Sequence, residues 1–158
     1  MQASRVLVPV CGVAADEDAL VLACDMIRPV KGKVYVLYVI EVRRSLPLDA
    51  DVEVENARGE DVLQRMENLG KKLHVDLEAE ILRARDAGPA VVQEAVDREV
   101  EAIVIGAPYG WHHGVFSLGQ TAPYVLRNAP CPVLLWRQEI ATNGKFKNGH
   151  QGGAPKDL

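Results

Sequence analysis

The chain has 158 residues, 48% of them hydrophobic, 25% charged and only 5% aromatic, which suits a single domain with an aliphatic core. Its formal charge of -4 argues against a dedicated nucleic-acid module, whose footprint is a basic patch. No apolar run approaches the ~18 residues of a membrane span, and Cys11, Cys24 and Cys131 lack the spacing of a disulfide scaffold or zinc ribbon.

The apolar runs and helical stripes alternate along the chain. Arg5–Val10 is a short β-branched run that reads as a buried strand, with Pro9 best placed where the strand leaves the sheet. A helix is predicted over Asp16–Ile27, its acidic start facing the positive end of the helix dipole and Leu20, Ala23, Cys24 and Ile27 on one face. Lys33–Ile40 is a second strand, and Arg43 to Asn56, containing Pro47, reads as irregular. Arg58–Lys72 gives a second helix with Val62, Met66 and Leu69 inward, and Asp76–Leu82 alternates like a half-exposed strand. Gly88-Pro89 opens a third helix whose apolar face is Val91, Val92, Ala95 and Val96. Ala102–Ile105 is a fully apolar strand, a glycine-rich loop runs from Gly106 to Gly119, and a short helix covers about Thr121–Asn128. Pro132–Trp136 closes as a fifth strand.

This β-α alternation predicts an α/β fold with a mostly parallel sheet and helices on both faces. Residues 1–137 are expected to form that domain and residues 138–158, poor in groups to bury, a flexible tail.

Ligands of such sheets bind beyond the carboxyl ends of strands, where strand order reverses. The segments after the first, second and fourth strands are therefore the candidates. Four of the fourteen residues 106–119 are glycine, just before a helix start, where backbone N–H groups can cradle phosphate. The same glycines would serve equally as turns and caps.

Arg5-Val-Leu-Val-Pro-Val10, Ile103-Val-Ile-Gly-Ala107 and the run from Tyr124 through Val-Leu-Arg-Asn-Ala-Pro-Cys-Pro-Val to Leu135 together resemble the universal stress protein (UspA-like) family, over Arg5 to about Arg137. The resemblance implies a Rossmann-like sheet of five parallel strands, of the adenine nucleotide alpha hydrolase-like type. It also implies a homodimer paired through the last strand, here Pro132, Val133, Leu134, Leu135 and Trp136. Nucleotide-binding members carry Gly-x2-Gly-x9-Gly-Ser/Thr after the fourth strand and an Asp after the first strand's Pro. Gly106 and Gly119 match this pattern, whereas Tyr109 stands at the second glycine with Gly110 one residue late, Gln120 replaces the Ser or Thr beside Thr121, and Cys11 replaces the Asp. The implied nucleotide site is Pro9, Val10, Cys11, Val39, Gly106, Gly110, Gly119, Gln120 and Thr121, with ATP or AMP as ligand. The alternative is a non-nucleotide-binding dimerisation or regulatory module of the same fold, like those attached to membrane transporters.

Other features have plainer readings. Asp16, Glu17 and Asp18 read as a solvated first helical turn rather than a Mg²⁺ site, and His112-His113 as a solvated loop pair rather than metal ligands. Cys11 reads as a small buried hydrophobe, the competing reading being a reactive thiol. Trp111 and Phe116 either cover a pocket or pack the loop down. No nucleophile, base and orienting acid form a recognisable set, so at most slow ATP hydrolysis is expected. The whole reads as a cytoplasmic stress-response factor that contacts an adenine nucleotide, a protein partner or both, without nucleic-acid binding or membrane insertion.

Overall fold

A computed structural model describes residues 1–108, 111–112 and 115–139. Five strands form one parallel sheet: β1 (Arg5–Val10), β2 (Lys33–Glu41), β3 (Asp76–Ala84), β4 (Ala102–Ala107) and β7 (Val133–Arg137), in the order β3-β2-β1-β4-β7. Helices α1 (Ala15–Ile27) and α2 (Glu53–Lys72) cover one face, and α3 (Ala87–Asp97) and α4 (Thr121–Asn128) the other. Two short antiparallel strands, β5 (Trp111–His112) and β6 (Val115–Phe116), lie between β4 and α4. The α/β class with helices on both faces is thus as the alternation predicts.

The core divides accordingly. Residues of β1, β2 and β4 with alternate orientation feed two clusters. Val6, Val8, Val34, Val36 and Val104 meet Leu20, Ala23, Cys24, Ile27, Val62 and Met66 on one side. On the other side Leu7, Leu37, Ile103 and Ile105 meet Val91, Ala95, Ala122 and Val125. Three central strands buried on both faces explain why they are nearly unbroken aliphatic runs.

Strand order reverses at β1, whose neighbours β2 and β4 lead to opposite halves of the sheet. β1 stays in register with β2 through Val10, but its pairing with β4 is confined to Val6↔Ala102 and Leu7↔Ile103. Pro9 lies inside β1, beyond that last β4 pair, where its missing N–H forfeits little. The two strands part at their carboxyl ends and leave a crevice.

Several boundaries differ from the sequence reading, each for a local reason. α2 begins at Glu53, five residues earlier than expected, because Asp51 Oδ1 accepts the N–H of Glu53 at 3.1 Å and Glu53 and Glu55 suit the helix's positive end. The expected irregular stretch shrinks to the segment before Val52, which is pinned by Arg85 donating to the carbonyls of Arg43 and Leu46 at 2.6 Å each. Val96 turns outward from α3 and is 50% exposed, so the apolar face of that helix is Val91 and Ala95, with Val92 half-buried. The segment from Gly106 is not all loop: Gly106 belongs to β4, and Trp111 pairs with Phe116 across the hairpin. Tyr109, Gly110 and the tail from residue 140 lie outside the described residues.

α3 is held against edge strand β3 by Arg98, which follows its last turn. Its guanidinium bonds Glu94 at 2.8 Å, Glu78 at 3.0 Å and Glu80, and lies 4.6 Å from the centroid of the Tyr35 ring. This clasp fixes the far end of α3 and so the position of its first residue, Ala87, at the crevice.

Candidate functional site

The carboxyl ends of β1, β2 and β4 open into a cavity of about 260 Å³, small for ligand pockets, which run to ~300–1,000 Å³. Pro9, Val10 and Cys11 come from β1 and its turn, Val39 from β2, Gly106 from β4, and Gly119, Gln120 and Thr121 from the start of α4. Eight of the sequence-derived site residues therefore share one wall. Gly110 lies outside the described residues.

Apolar side chains of Leu37, Val39, Val91, Ile105 and Leu118 line much of this cavity. A second cavity of about 260 Å³ continues from it, sharing Glu41, Ala87, Gln120 and Thr121 and extending to Asp86 and Tyr124. The two form one cleft with an apolar inner part and a polar outer part.

Gly106 and Gly119 serve different needs. At Gly106 a Cβ would lie 2.2 Å from the carbonyl oxygen of Ala15 and 3.0 Å from the amide nitrogen of Asp16, so β4 admits α1 only with glycine there. Gly119 has φ +74°, favourable chiefly for glycine, and nothing within 4 Å of its Cβ position. It turns the chain into α4 beside open space. No side chain caps that helix, and Thr121 and Ala122 have no hydrogen-bond partner for their N–H among the described residues. Pro123 has no N–H to add.

Asp16 corrects the sequence reading most sharply. It is 1% exposed rather than solvated, and its Oδ2 accepts the N–H groups of Cys11, Gly12 and Val13 at 3.0, 2.7 and 3.0 Å. Such a concave set of amides is a natural anion site, and here a carboxylate of the chain fills it. Burial pushes the Asp16 carboxyl above the usual range, an effect the three amides only partly offset. Cys11 is likewise not the buried hydrophobe expected, for it is exposed at the cavity wall. The surrounding wall and the nearby Asp16 charge raise its thiol pKa, the opposite of what a reactive cysteine needs.

Two site residues were not legible in the sequence. Asp16 sits in a run of three acids and looked like solvated helix. Glu41 ends β2, where a polar residue reads as the start of a loop, yet its Oε1 accepts the N–H of Ala87 at 3.3 Å, the first amide of α3. Asp16 followed a strand-Pro-x-x-Gly turn, which could have suggested a carboxylate folding back onto turn amides. Among the described residues no three His, Cys, Asp or Glu side chains cluster as a metal site. His113 lies outside the described residues.

A parallel sheet of this order, with a cleft at the switch point and a glycine turn leading into an uncapped helix, defines a Rossmann-like α/β domain. The sequence profile of the Universal stress protein family matches residues 3–137, and the chain belongs to that family. A universal stress protein of Methanocaldococcus jannaschii is 24% identical over 137 residues, covering 83% of this chain and 80% of its own. The universal stress protein of Archaeoglobus fulgidus in complex with dAMP superposes with a TM-score of 0.68 at 19% identity, covering 85% of this chain and 98% of its own. A universal stress protein family member of Arabidopsis thaliana with AMP bound gives a TM-score of 0.65 at 21% identity, covering 86% and 92%. No helix among the described residues is long and apolar enough to cross a membrane.

Proposed function

We propose that this chain is a cytoplasmic, homodimeric stress-response factor whose cleft binds an adenine nucleotide, ATP or AMP. The carrying observation is the cleft itself, which sets an apolar chamber beside the glycine turn and open amides at the start of α4. In this reading Val39 and its apolar neighbours take the base, Pro9, Val10 and Cys11 border base and ribose, and Gly119, Gln120 and Thr121 meet phosphate. The AMP- and dAMP-bound relatives support the ligand class. The functional domain in this reading is residues 1–137.

The dimer forms through β7. That strand pairs β4 on one side and ends the sheet on the other, and its Trp136 is 40% exposed. An apolar edge strand of this kind favours pairing with another chain.

Mass spectrometry of freshly purified, denatured protein and calorimetric titration with ATP and AMP test the ligand. Absence of co-purified nucleotide together with silence at millimolar concentration would overturn the reading. A second reading, a regulatory module that interacts with a protein partner or transporter without nucleotide, is favoured by Cys11 and Gln120 at positions where nucleotide-binding relatives carry other residues. It predicts that Gly119→Val leaves any ligand response unchanged.

A further inference from the structure

Among the described residues, backbone amides at the turn after β1, at the start of α3 and at the start of α4 lie near the carboxyl end of the sheet, and the first two are already occupied from within. The amides of Cys11, Gly12 and Val13 are taken by Asp16. The first amide of α3 is taken by Glu41. At α4 only a small set remains open, ended by Pro123.

The charges along the two joined cavities run the same way. Among the described residues their walls carry three carboxylates, Asp16, Glu41 and Asp86, and no lysine, arginine or histidine. Asp86 has a cationic neighbour in Arg44 at 3.3 Å, but that pair is exposed and screened. The space continuing past the start of α4 is the outer cavity, where Glu41 and Asp86 stand.

We infer that the cleft selects an adenosine ligand bearing a single phosphate and disfavours polyphosphates, with Glu41 and Asp86 as specificity-determining residues. This inference rests on the nucleotide-binding reading above. One phosphate can use the open amides of α4. Each further phosphate adds negative charge that finds no other free amide set among the described residues and approaches Glu41 or Asp86. Asp16 leaves the amides of Cys11, Gly12 and Val13 closed to a second anionic group. Glu41 contributes twice, by filling the α3 amide and by repelling what extends past α4.

The test is calorimetric titration of the full chain with adenosine, AMP, ADP and ATP in low-salt buffer containing EDTA. At ~3-fold per added charge, AMP should bind about tenfold more tightly than ATP, with ADP between. Glu41→Gln keeps an acceptor for Ala87 while removing the charge, and should narrow the AMP-to-ATP ratio by about threefold. Asp86→Asn should narrow it in the same direction. ATP binding as tightly as AMP, or a ratio unmoved in both variants, overturns the inference while leaving nucleotide binding intact. Failure of every compound, adenosine and AMP included, overturns the nucleotide reading and this inference with it.

Discussion

Gly106 and Ala15 are in contact so close that a single methyl group on Gly106 would stand 2.2 Å from the Ala15 carbonyl oxygen and 2.5 Å from its carbon. The glycine that opens the nucleotide-type spacing is thus needed where α1 crosses β4, whether or not a phosphate is ever bound. Its presence speaks for the fold. The open surroundings and positive φ of Gly119 are what speak for a ligand.

Gly106→Ala should therefore act on stability first. The added carbon meets backbone, which cannot rotate away, and overpacking of this kind costs about 1–3 kcal/mol. Urea denaturation should show a lower midpoint with little change in slope. A variant as stable as the parent would show that α1 shifts freely at this crossing. Gly119→Ala makes the contrast: with no steric contact, its expected cost is the ~1–2 kcal/mol of a left-handed non-glycine residue.

Asp16 is expected to hold the β1–α1 turn together. Asp16→Ala leaves the N–H groups of Cys11, Gly12 and Val13 without their acceptor, at a cost of about 3 kcal/mol. Asp16→Asn, which keeps one acceptor oxygen, should cost less. The pH dependence has a definite sign. Because folding raises the carboxyl pKa, the folded state prefers protonated Asp16, and that stabilisation is present below the unfolded value and lost as pH rises through the folded one. Wild type should gain on Asp16→Asn as the pH falls from 7 to 4, measured by paired denaturation curves. A constant difference across that range would contradict the shift.

The central strands and α1 were legible because burial on both faces forces continuous aliphatic runs, and because Leu20, Ala23, Cys24 and Ile27 repeat at helical spacing. The start of α2 was not, since Glu53-Val-Glu-Asn-Ala-Arg58 presents one apolar residue, Val54, which is 71% exposed. Its helix is set by a turn bond from Asp51 that no periodicity reveals. The hairpin of Trp111 and Phe116 was hidden among glycines that also fit a loop. At the site, residues drawn from a motif were visible, whereas Asp16 acts on amides that precede it in the chain and Glu41 on one remote in sequence, and side-chain type alone does not announce that.

Cys11 offers a direct footprint of the cleft. It is the exposed cysteine on the cavity wall, while Cys131 is half-buried and Cys24 is buried with its thiol pushed up to about 11. Alkylation with iodoacetamide should be slow at pH 7, since the raised thiol pKa leaves little thiolate, and should accelerate steeply above pH 9 with Cys11 modified first. Saturating AMP should protect it. Peptide mapping by mass spectrometry reads both effects. Rapid, pH-independent modification of Cys11 would contradict the raised pKa, and labelling unchanged by AMP would place the ligand elsewhere.

Trp136 provides the test of association through β7 that least disturbs the monomer. Leu134 stands opposite Val104 and packs against the core, so a charge there would confound unfolding with dissociation. Trp136 pairs with Gly106 and is 40% exposed in the single chain, so part of its ring is open for a second copy to cover. If the edge pairs with a second copy, that ring becomes an interface anchor, and truncating such a residue costs about 2 kcal/mol or more, near 30-fold in dissociation constant. Sedimentation velocity should find the wild type dimeric and Trp136→Glu shifted to monomer at micromolar concentration, with circular dichroism showing that the variant keeps its α/β fold. Equal dimer affinity for both proteins would remove β7 from the interface, because burying a carboxylate in place of an indole carries a desolvation cost.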